Sequence, residues 1–346
     1  MRLLVIAQKI DRKDPVLGFF HRWVEVFSEQ FSRITVVCLQ KGEYDLPGNV
    51  AVLTLGKDKW QSRAKYVFLL FYFSIRYFNR YDAVFVHMNQ EYILAAGWLW
   101  KLLGKKIYMW RNHYAGSALT DIAAWFCTKI FCTSHYSYTA KFKKTQFMPV
   151  GVDTEVFKPM ASDLSTQVVR KQSSILSLGR ISPSKNIHTL IAALEILKKE
   201  GVTFTADIYG NFVDEAYGKQ LHEQVREAGL GDRVKFPGPV ANIESPKVYS
   251  AHQIFVNLSP NGMYDKTIFE GMACGCFVFV SNDDIKDKID PLFAFPYADA
   301  AGLARRIKDF LALSSAEQNK KAASIAGLIR DNSLKQLSER LAAEIK

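Results

Sequence analysis

The stretch Asn261-Gly-Met-Tyr-Asp-Lys-Thr-Ile-Phe-Glu-Gly-Met-Ala-Cys-Gly275 decides the fold of this chain. It follows an apolar run at 254–258 that is typical of a buried strand, and it predicts a polar turn and then a short helix ending at Gly275. The start of such a helix offers unpaired backbone N–H groups to an anion. Glu270 falls about one turn into that helix, near the loop, where a carboxylate can bind a diol. An anion site beside a diol-binding carboxylate suits a nucleotide sugar, and an exposed surface glutamate is the alternative.

Two cations upstream fit the same interpretation. An apolar strand leads into Gly179, and Arg180 and Lys185 follow in the loop before an amphipathic helix at 187–199. A guanidinium offers a planar fork and an ammonium offers a point charge, so both are well placed for a diphosphate at the exit of a strand.

Four predicted strands in this half each end in a polar or glycine-rich loop. They are the strand that enters Gly179 and those at 205–209, 234–240 and 254–258. Strands of this kind describe one edge of an open parallel sheet, and the ligands of such sheets bind at the carboxyl ends of the strands.

The order of these motifs resembles the retaining glycosyltransferases of family four, which have the GT-B fold. The motifs are Gly-Arg…Lys-Asn at 179–186, Tyr-Gly-Asn at 209–211, Val-Lys-Phe-Pro-Gly at 234–238 and Glu-Gly-Met-Ala-Cys-Gly at 270–275. The resemblance covers residues 170–282 well and the N-terminal half more loosely. It implies an α/β protein with two Rossmann-like parallel-sheet domains that face each other across a cleft. It also implies transfer of a sugar from a nucleoside-diphosphate donor with retention of anomeric configuration.

The resemblance assigns roles to individual positions. Arg180 and Lys185 would hold the donor diphosphate, Glu270 would bind the ribose hydroxyls, the loop 262–267 would contact phosphates and sugar, and the turn 238–240 would lie under the nucleobase. The full expected donor-binding set is Gly179, Gly210, Gly238, Val240, Gly262, Met263, Tyr264, Asp265, Lys266, Thr267 and Glu270. The expected catalytic set is Arg180, Lys185 and His113, whose family counterpart often contacts the transferred sugar.

One position departs from the family pattern. The family usually has a second acidic residue eight positions before the one matched by Glu270, and this chain has Gly262 there. Asp265 in the same loop could replace it as a contact to the sugar, or it could cap the helix that begins at Lys266. A nucleotide-sugar-binding protein without turnover therefore stays open as an alternative to the enzyme.

The N-terminal half also alternates between strands and helices, which predicts a second parallel sheet. Predicted strands lie at 3–7, 34–39, 50–55, 83–87, 106–110 and 129–133, and predicted helices at 18–31, 62–78, 91–103 and 134–141. The expected domains are an acceptor-binding domain at 1–160 and a nucleotide-sugar-binding domain at 170–330, joined by a polar linker at 160–173. The helix 333–346 is expected to pack back on the N-terminal domain. Gly18 and His21 are the acceptor-side candidates.

Positive charge is concentrated in the N-terminal half. Residues 1–158 hold 22 Lys and Arg against 12 Asp and Glu, which accounts for +10 of the net charge of +11. Such a region attracts anionic lipid or nucleic acid, and no nucleic-acid motif accompanies it. The basic and aromatic segment 65–81 predicts a helix, which is interpreted as a core helix, with a surface that enters a bilayer as the alternative. The expected partners are therefore a nucleotide sugar, a carbohydrate or lipid-linked acceptor and, as the alternative, an anionic membrane surface, but no nucleic acid.

The sequence also bears on location and cofactors. The chain has five cysteines without a paired Cys-x-x-Cys pattern, which argues against a disulfide framework and against zinc. The apolar start is too short for a secretory signal, and no apolar run reaches the ~20 residues of a membrane span. A cytoplasmic protein is expected, peripheral on the inner face of the plasma membrane if it binds lipid. No Asp-x-Asp pair lies at a donor position, so no cofactor and no obligatory metal are expected.

Overall fold

The computed structural model describes residues 1–14, 16–160, 168–262, 264–323 and 325–345. The chain forms two compact units, one built from 1–151 together with 334–346 and the other from 152–333. Each unit is a parallel sheet with helices packed against it, so the expected class of two parallel-sheet α/β domains is confirmed.

The described part of the N-terminal unit contains a seven-stranded sheet in the order β3-β2-β1-β4-β5-β6-β7. Its strands are β1 Arg2–Ile10, β2 Arg33–Lys41, β3 Val50–Thr54, β4 Ala83–His87, β5 Lys106–Trp110, β6 Lys129–Cys132 and β7 Thr145–Phe147. Its helices are α1 Gly18–Phe27, α2 Arg63–Arg76, α3 Glu91–Leu102 and α4 Ala118–Phe126, with short 3-10 helices at Phe78–Arg80 and Tyr138–Lys141. The central strands are continuous apolar runs because helices cover both faces of the sheet.

The described part of the C-terminal unit contains a five-stranded sheet in the order β10-β9-β8-β11-β12. Its strands are β8 Lys171–Leu178, β9 Thr205–Tyr209, β10 Val234–Gly238, β11 His252–Asn257 and β12 Phe277–Val280. Its helices are α5 Ile187–Lys199, α6 Glu215–Glu227, α7 Ser245–Ala251, α8 Lys266–Ala273, α9 Asp283–Lys286, α10 Ala300–Leu311, α11 Ser315–Ala322 and α12 Ile325–Asp331, with 3-10 helices at Pro183–Lys185, Asn242–Glu244 and Pro291–Phe293. The strand order reverses between β8 and β11, and in open parallel sheets such a switch point is where ligands bind.

The last helix, α13 Leu334–Ile345, belongs to the N-terminal unit. Its apolar stripe, which includes Leu337 and Leu341, is buried in the core on one face of the seven-stranded sheet. The Tyr108 hydroxyl donates to the Ile345 carbonyl at 3.0 Å. Burial of four apolar side chains along the helix therefore fixes its place on this sheet.

The interpretation of the segment 65–81 as a core helix holds for one side of α2, which packs into the core, but not for the opposite side. Only Leu70 and Ser74 of α2 are fully buried. Phe68, Tyr72 and Ile75, spaced as one stripe along the helix, are exposed. Apolar periodicity predicted the helix correctly, but it does not state which face meets the sheet.

Two further differences between prediction and structure concern helices of the N-terminal unit. The helix predicted at 134–141 is reduced to the 3-10 helix Tyr138–Lys141, because Thr139 Oγ1 and Ser137 Oγ donate to the Arg111 carbonyl and compete with helical hydrogen bonding. Helix α4 was not predicted, although the Ser117–Thr120 capping box starts it.

The expected linker 160–173 is only partly covered. Residues 161–167 lie outside the described part of the chain, and β8 already begins at Lys171.

Candidate functional site

Three of the predicted glycines lie at adjacent strand ends of the C-terminal unit. The Gly179 N–H donates to the Tyr209 carbonyl at 3.0 Å, and the Gly210 N–H donates to the Gly238 carbonyl at 3.0 Å. Gly179 and Gly210 have φ values of +149° and +153°, which residues with a side chain rarely adopt. A Cβ on Gly210 would lie 1.8 Å from the Gly179 carbonyl oxygen. These glycines therefore allow the loops after β8 and β9 to touch, and they keep this edge of the sheet open.

A pocket opens at this edge, between the ends of β8, β9 and β11. Its polar lining comprises Ser177, Gly179, Arg180, Lys185, Tyr209, Asn257, Ser259 and Asp265. Arg180 is exposed, and among the described residues no group hydrogen-bonds to its guanidinium. Its five N–H donors are therefore available to an anion in the pocket.

Lys185 is held differently from Arg180. Its ammonium donates to Ser259 Oγ at 2.9 Å and forms an ion pair with the Asp265 carboxylate. The side chains of Lys185 and Asp265 are 15% and 16% exposed, so the pair is largely shielded from water. The second expected cation is therefore already neutralised by a carboxylate in this structure.

Asp265 is the centre of a hydrogen-bond network. It accepts from Ser259 Oγ at 2.9 Å, from Asn257 Nδ2 at 3.2 Å and from the Thr267 backbone N–H at 3.3 Å. Burial raises the pKa of Asp265, but the charge of Lys185 and these hydrogen bonds outweigh burial and hold the pKa well below its usual range. Of the two interpretations of Asp265, the helix cap is confirmed, because Asp265 is the N-cap of α8. Thr267 also joins the network through its hydroxyl, which accepts from Asn257 Nδ2 at 3.1 Å.

Glu270 is buried, 3% exposed, on the first turns of α8. The Tyr249 hydroxyl donates to its Oε2 at 3.3 Å. Burial raises the pKa of Glu270 to about 7, and the nearby Lys266 ammonium opposes that shift. Burial likewise lowers the pKa of Lys266, against the attraction of Glu270 and Asp153. The exposed-glutamate alternative is therefore wrong, and Glu270 is a buried carboxyl group whose pKa burial raises.

The loop before α8 contains the remaining predicted donor contacts. Gly262 is buried with φ +78°. Tyr264 is 6% exposed and its ring packs edge-to-face on Phe269, with 5.1 Å between ring centroids, so this residue serves packing. Met263 lies outside the described residues. Val240, two residues beyond β10, is half-buried and does not line the pocket described above.

The acceptor-side candidates lie in the N-terminal unit. Gly18 is the first residue of α1, after β1, and His113 follows β5, so both lie at the carboxyl edge of the seven-stranded sheet. His113 Nδ1 accepts from the Ala115 N–H at 2.9 Å, which orients its ring locally. His21 is 8% exposed and its Nε2 accepts from the Asp45 N–H at 3.1 Å. Burial lowers the pKa of His21, which is one of the buried side chains of α1.

Sequence reasoning missed Asn257, Ser259 and Tyr249. Asn257 ends β11 and Ser259 follows it, so the rule that ligand-binding residues cluster at strand ends could have found both. Tyr249 lies on α7, and no sequence signal links it to Glu270. In the described residues, no cluster of three or more His, Cys, Asp or Glu side chains is arranged to hold a metal ion.

The two parallel-sheet units define a class of proteins, the GT-B folds. Anabaena Alr3699/HepE, solved in complex with UDP and glucose, superposes with a TM-score of 0.79 over 99% of this chain and 98% of that chain, at 18% sequence identity. At this identity the similarity defines the fold alone.

Sequence comparison relates the C-terminal unit to known proteins. Residues 165–326 match the family model described as glycosyl transferases group 1. Mannosylfructose-phosphate synthase of Agrobacterium fabrum is 31% identical over 148 residues, which are 40% of this chain and 32% of that protein. Alpha-monoglucosyldiacylglycerol synthase of Streptococcus pneumoniae is 29% identical over 168 residues, 47% of this chain and 36% of that protein. The matched segment thus spans about a third of the length of these curated relatives.

Proposed function

We propose that this protein transfers a hexosyl group from a nucleoside-diphosphate sugar to a lipid-linked acceptor or a cell-envelope glycan precursor, with retention of anomeric configuration. The observation that carries the proposal is the pocket at the switch point of the C-terminal sheet. There an exposed arginine, a lysine and the start of α8 converge, and a buried carboxylate lies on the same helix. Support for a lipid-linked acceptor comes from a relative that is, by name, a synthase of a glucosylated diacylglycerol. Such an enzyme would work in the cytoplasm, as a peripheral protein at the inner face of the plasma membrane.

The chemistry that these groups favour is stabilisation of a departing diphosphate. As the bond between the anomeric carbon and the phosphate oxygen breaks, negative charge grows on the leaving group. Arg180, Lys185 and the N–H groups that start α8 are the donors that would stabilise this charge. The acceptor hydroxyl bonds to the anomeric carbon on the same face, and its proton passes to the departing phosphate. No protein nucleophile and no obligatory metal are required in this scheme, and the remaining donor and acceptor positions keep their expected roles as proposals.

Donor binding provides the first test. Arg180→Ala should weaken binding of UDP or GDP about tenfold to hundredfold, since a charge-assisted hydrogen bond contributes about 1.5–3 kcal/mol. Glu270→Ala should weaken binding through loss of the diol contact. Arg305→Ala, which removes an exposed arginine from α10 of the same unit, is the matched control. Isothermal titration of the purified full chain with each nucleotide measures the effect. Unchanged affinity in both site variants would refute the site assignment.

Turnover separates the enzyme from a binding protein. Without an acceptor, the protein should hydrolyse UDP-glucose or another nucleotide sugar slowly. When an acceptor is added, the nucleotide sugar should be consumed faster or its sugar should be transferred to the acceptor. The anomeric proton coupling in the product reports retention, and activity that survives a chelator supports a metal-independent reaction. Binding without hydrolysis or transfer would favour the non-catalytic alternative suggested by Gly262.

A further inference from the structure

Three neighbouring helices of the N-terminal unit form a continuous layer on one face of its sheet. Helices α2, α3 and α4 all contribute buried side chains to the same core, among them Leu70, Trp100 and Ala123. Phe71 of α2 packs edge-to-face on Trp98 of α3, with 5.8 Å between ring centroids. A Cβ on Gly97 of α3 would lie 3.0 Å from Phe126 Cγ of α4, so the missing side chain lets these two helices approach closely.

The outer side of this layer is apolar. Phe68, Trp98, Leu102 and Trp125 are 67%, 51%, 78% and 73% exposed. Tyr72 and Ile122 are also exposed, and each of the three helices contributes two of these side chains, three or four residues apart. On each helix the exposed pair lies on the side opposite the one that faces the core. We call the surface formed by Phe68, Tyr72, Trp98, Leu102, Ile122 and Trp125 the α2–α4 face. An exposed apolar surface shared by three packed helices is unusual for a soluble monomer and marks an interaction surface.

The same helices carry an excess of positive charge. Helices α2, α3 and α4 together contain four Lys and Arg and two Asp and Glu. Exposed cations stand at both ends of α2, at Arg63, Lys65 and Arg76, and near the end of α3, at Lys101. Long basic side chains at the ends of an apolar helix stripe can keep their charges at the level of lipid headgroups while their stems cover apolar surface.

We propose that the α2–α4 face docks the protein onto an anionic lipid bilayer. Trp and Tyr side chains suit the boundary between headgroups and acyl chains, and the surrounding cations complement anionic lipids. A second copy of the chain is a poorer occupant, because a symmetric contact through this face would bring like charges together. No described helix is long and apolar enough to cross a bilayer. This surface is separate from the donor pocket, and the proposal does not rest on the proposed reaction.

Flotation with vesicles tests the docking surface. The full chain is mixed with vesicles of phosphatidylcholine alone or with 30 mol% phosphatidylserine added. We expect binding to the anionic vesicles that weakens at high salt. The variant Arg63→Glu/Arg76→Glu/Lys101→Glu should lose at least about a hundredfold in affinity, since each cation near an anionic surface contributes roughly fivefold. The matched control, Lys199→Glu/Lys219→Glu/Lys320→Glu, changes net charge equally on exposed lysines of the C-terminal unit and should bind much more tightly than the first variant.

A second variant tests apolar insertion. Phe68→Ser/Trp98→Ser/Trp125→Ser should lose most vesicle binding, whereas Ile243→Ser/Tyr297→Ser, at exposed apolar positions of the other unit, should retain it. Tryptophan quenching by brominated lipid should be strong in the wild-type protein and weak in Trp98→Phe/Trp125→Phe.

Three results would overturn the proposal. They are failure of the wild-type protein to bind anionic vesicles, wild-type binding by both face variants, and a dimer in solution that the serine variant dissociates while vesicle binding persists. Nucleotide affinity without vesicles should be unchanged in the face variants, so failure of docking and failure of the donor site remain distinguishable.

Discussion

Removal of the Asp265 carboxylate should destabilise the C-terminal unit more than loss of an ordinary helix cap. In the structure this carboxylate accepts hydrogen bonds from Lys185, Ser259, Asn257 and the Thr267 N–H. Loss of an N-cap costs about 1 kcal/mol of the free energy of unfolding. Breaking a buried ion pair by removing one partner costs about 3–5 kcal/mol, because the other charge stays buried without compensation. The side chains of Lys185 and Asp265 are only about one-sixth exposed. We therefore expect Asp265→Ala to lower the free energy of unfolding by about 3–5 kcal/mol, as for a buried ion pair, and not by the smaller amount for a cap.

Asp214→Ala is the matched control for this substitution. Asp214 caps α6 in the same unit by accepting from the Ala216 and Tyr217 N–H groups, and it pairs with no cation among the described residues. Thermal unfolding of the full chain measures both variants, and a difference of about 2–4 kcal/mol corresponds to roughly 4–16 °C for a domain of this size. The pair Lys185→Met and Asp265→Ala should be strongly non-additive, because the double variant leaves no unpaired charge. If Asp265→Ala and Asp214→Ala lowered the free energy of unfolding equally, or if the effects of Lys185→Met and Asp265→Ala were additive, the ion pair would not contribute as argued.

The variant Asp265→Ala also distinguishes two roles of Asp265 in the proposed donor site. If Asp265 only neutralises Lys185, Asp265→Ala frees the ammonium and UDP should bind more tightly than to the wild-type protein. If Asp265 contacts the sugar, UDP-sugar affinity should fall while UDP affinity changes little. Titration with UDP and with UDP-glucose separates these two outcomes.

Two further predictions follow from the same unit. Gly210→Ala should lower the free energy of unfolding by about 3 kcal/mol, because its Cβ would lie 1.8 Å from the Gly179 carbonyl oxygen and φ is +153°. Gly231→Ala is the control, because a Cβ there meets nothing within 4 Å, and it should be nearly neutral in the same thermal unfolding assay. Equal effects of the two substitutions would contradict the predicted clash. Burial raises the pKa of Glu270 from 4.5 to about 7, so its contribution to stability is full below pH 4.5 and is lost as pH rises through about 7. The free energy of unfolding, measured in urea from pH 4.5 to 8, should therefore fall more in the wild-type protein than in Glu270→Gln, and parallel curves would contradict this.

Local sequence signals predicted the strand ends well. Helix α5 and strands β4, β5 and β9 have the predicted bounds, because each is an apolar segment bordered by glycine or polar residues. Gly179, Arg180, Lys185 and Asp265 were all named from the sequence, and the structure brings them to one pocket. Parallel-sheet topology makes this possible, since all strands end at the same edge.

Long-range pairings could not be predicted in this way. Lys185 and Asp265 are 80 residues apart, and either could have faced solvent. The bond from Tyr249 to Glu270 depends on how α7 packs beside α8. The exposed side of α2 has the same apolar periodicity as a buried one, so only the packed structure distinguishes a core stripe from an exposed stripe.

The charges around the start of α8 explain how this site could work with Gly262 in place of a second acidic residue. The Asp265 carboxylate neutralises the Lys185 ammonium, and the half-buried Lys266 and the buried Glu270 each favour the charged form of the other. In the proposed site, the attraction for a diphosphate would therefore come from Arg180 and the helix N–H groups, and Lys185 would contribute once Asp265 releases it. A carboxylate at position 262 would add negative charge where the phosphates are expected, so glycine favours diphosphate binding. The same change removes an acceptor for sugar hydroxyls. Under the proposed function, we expect Asp265 to take over this contact once it releases Lys185 to the phosphate.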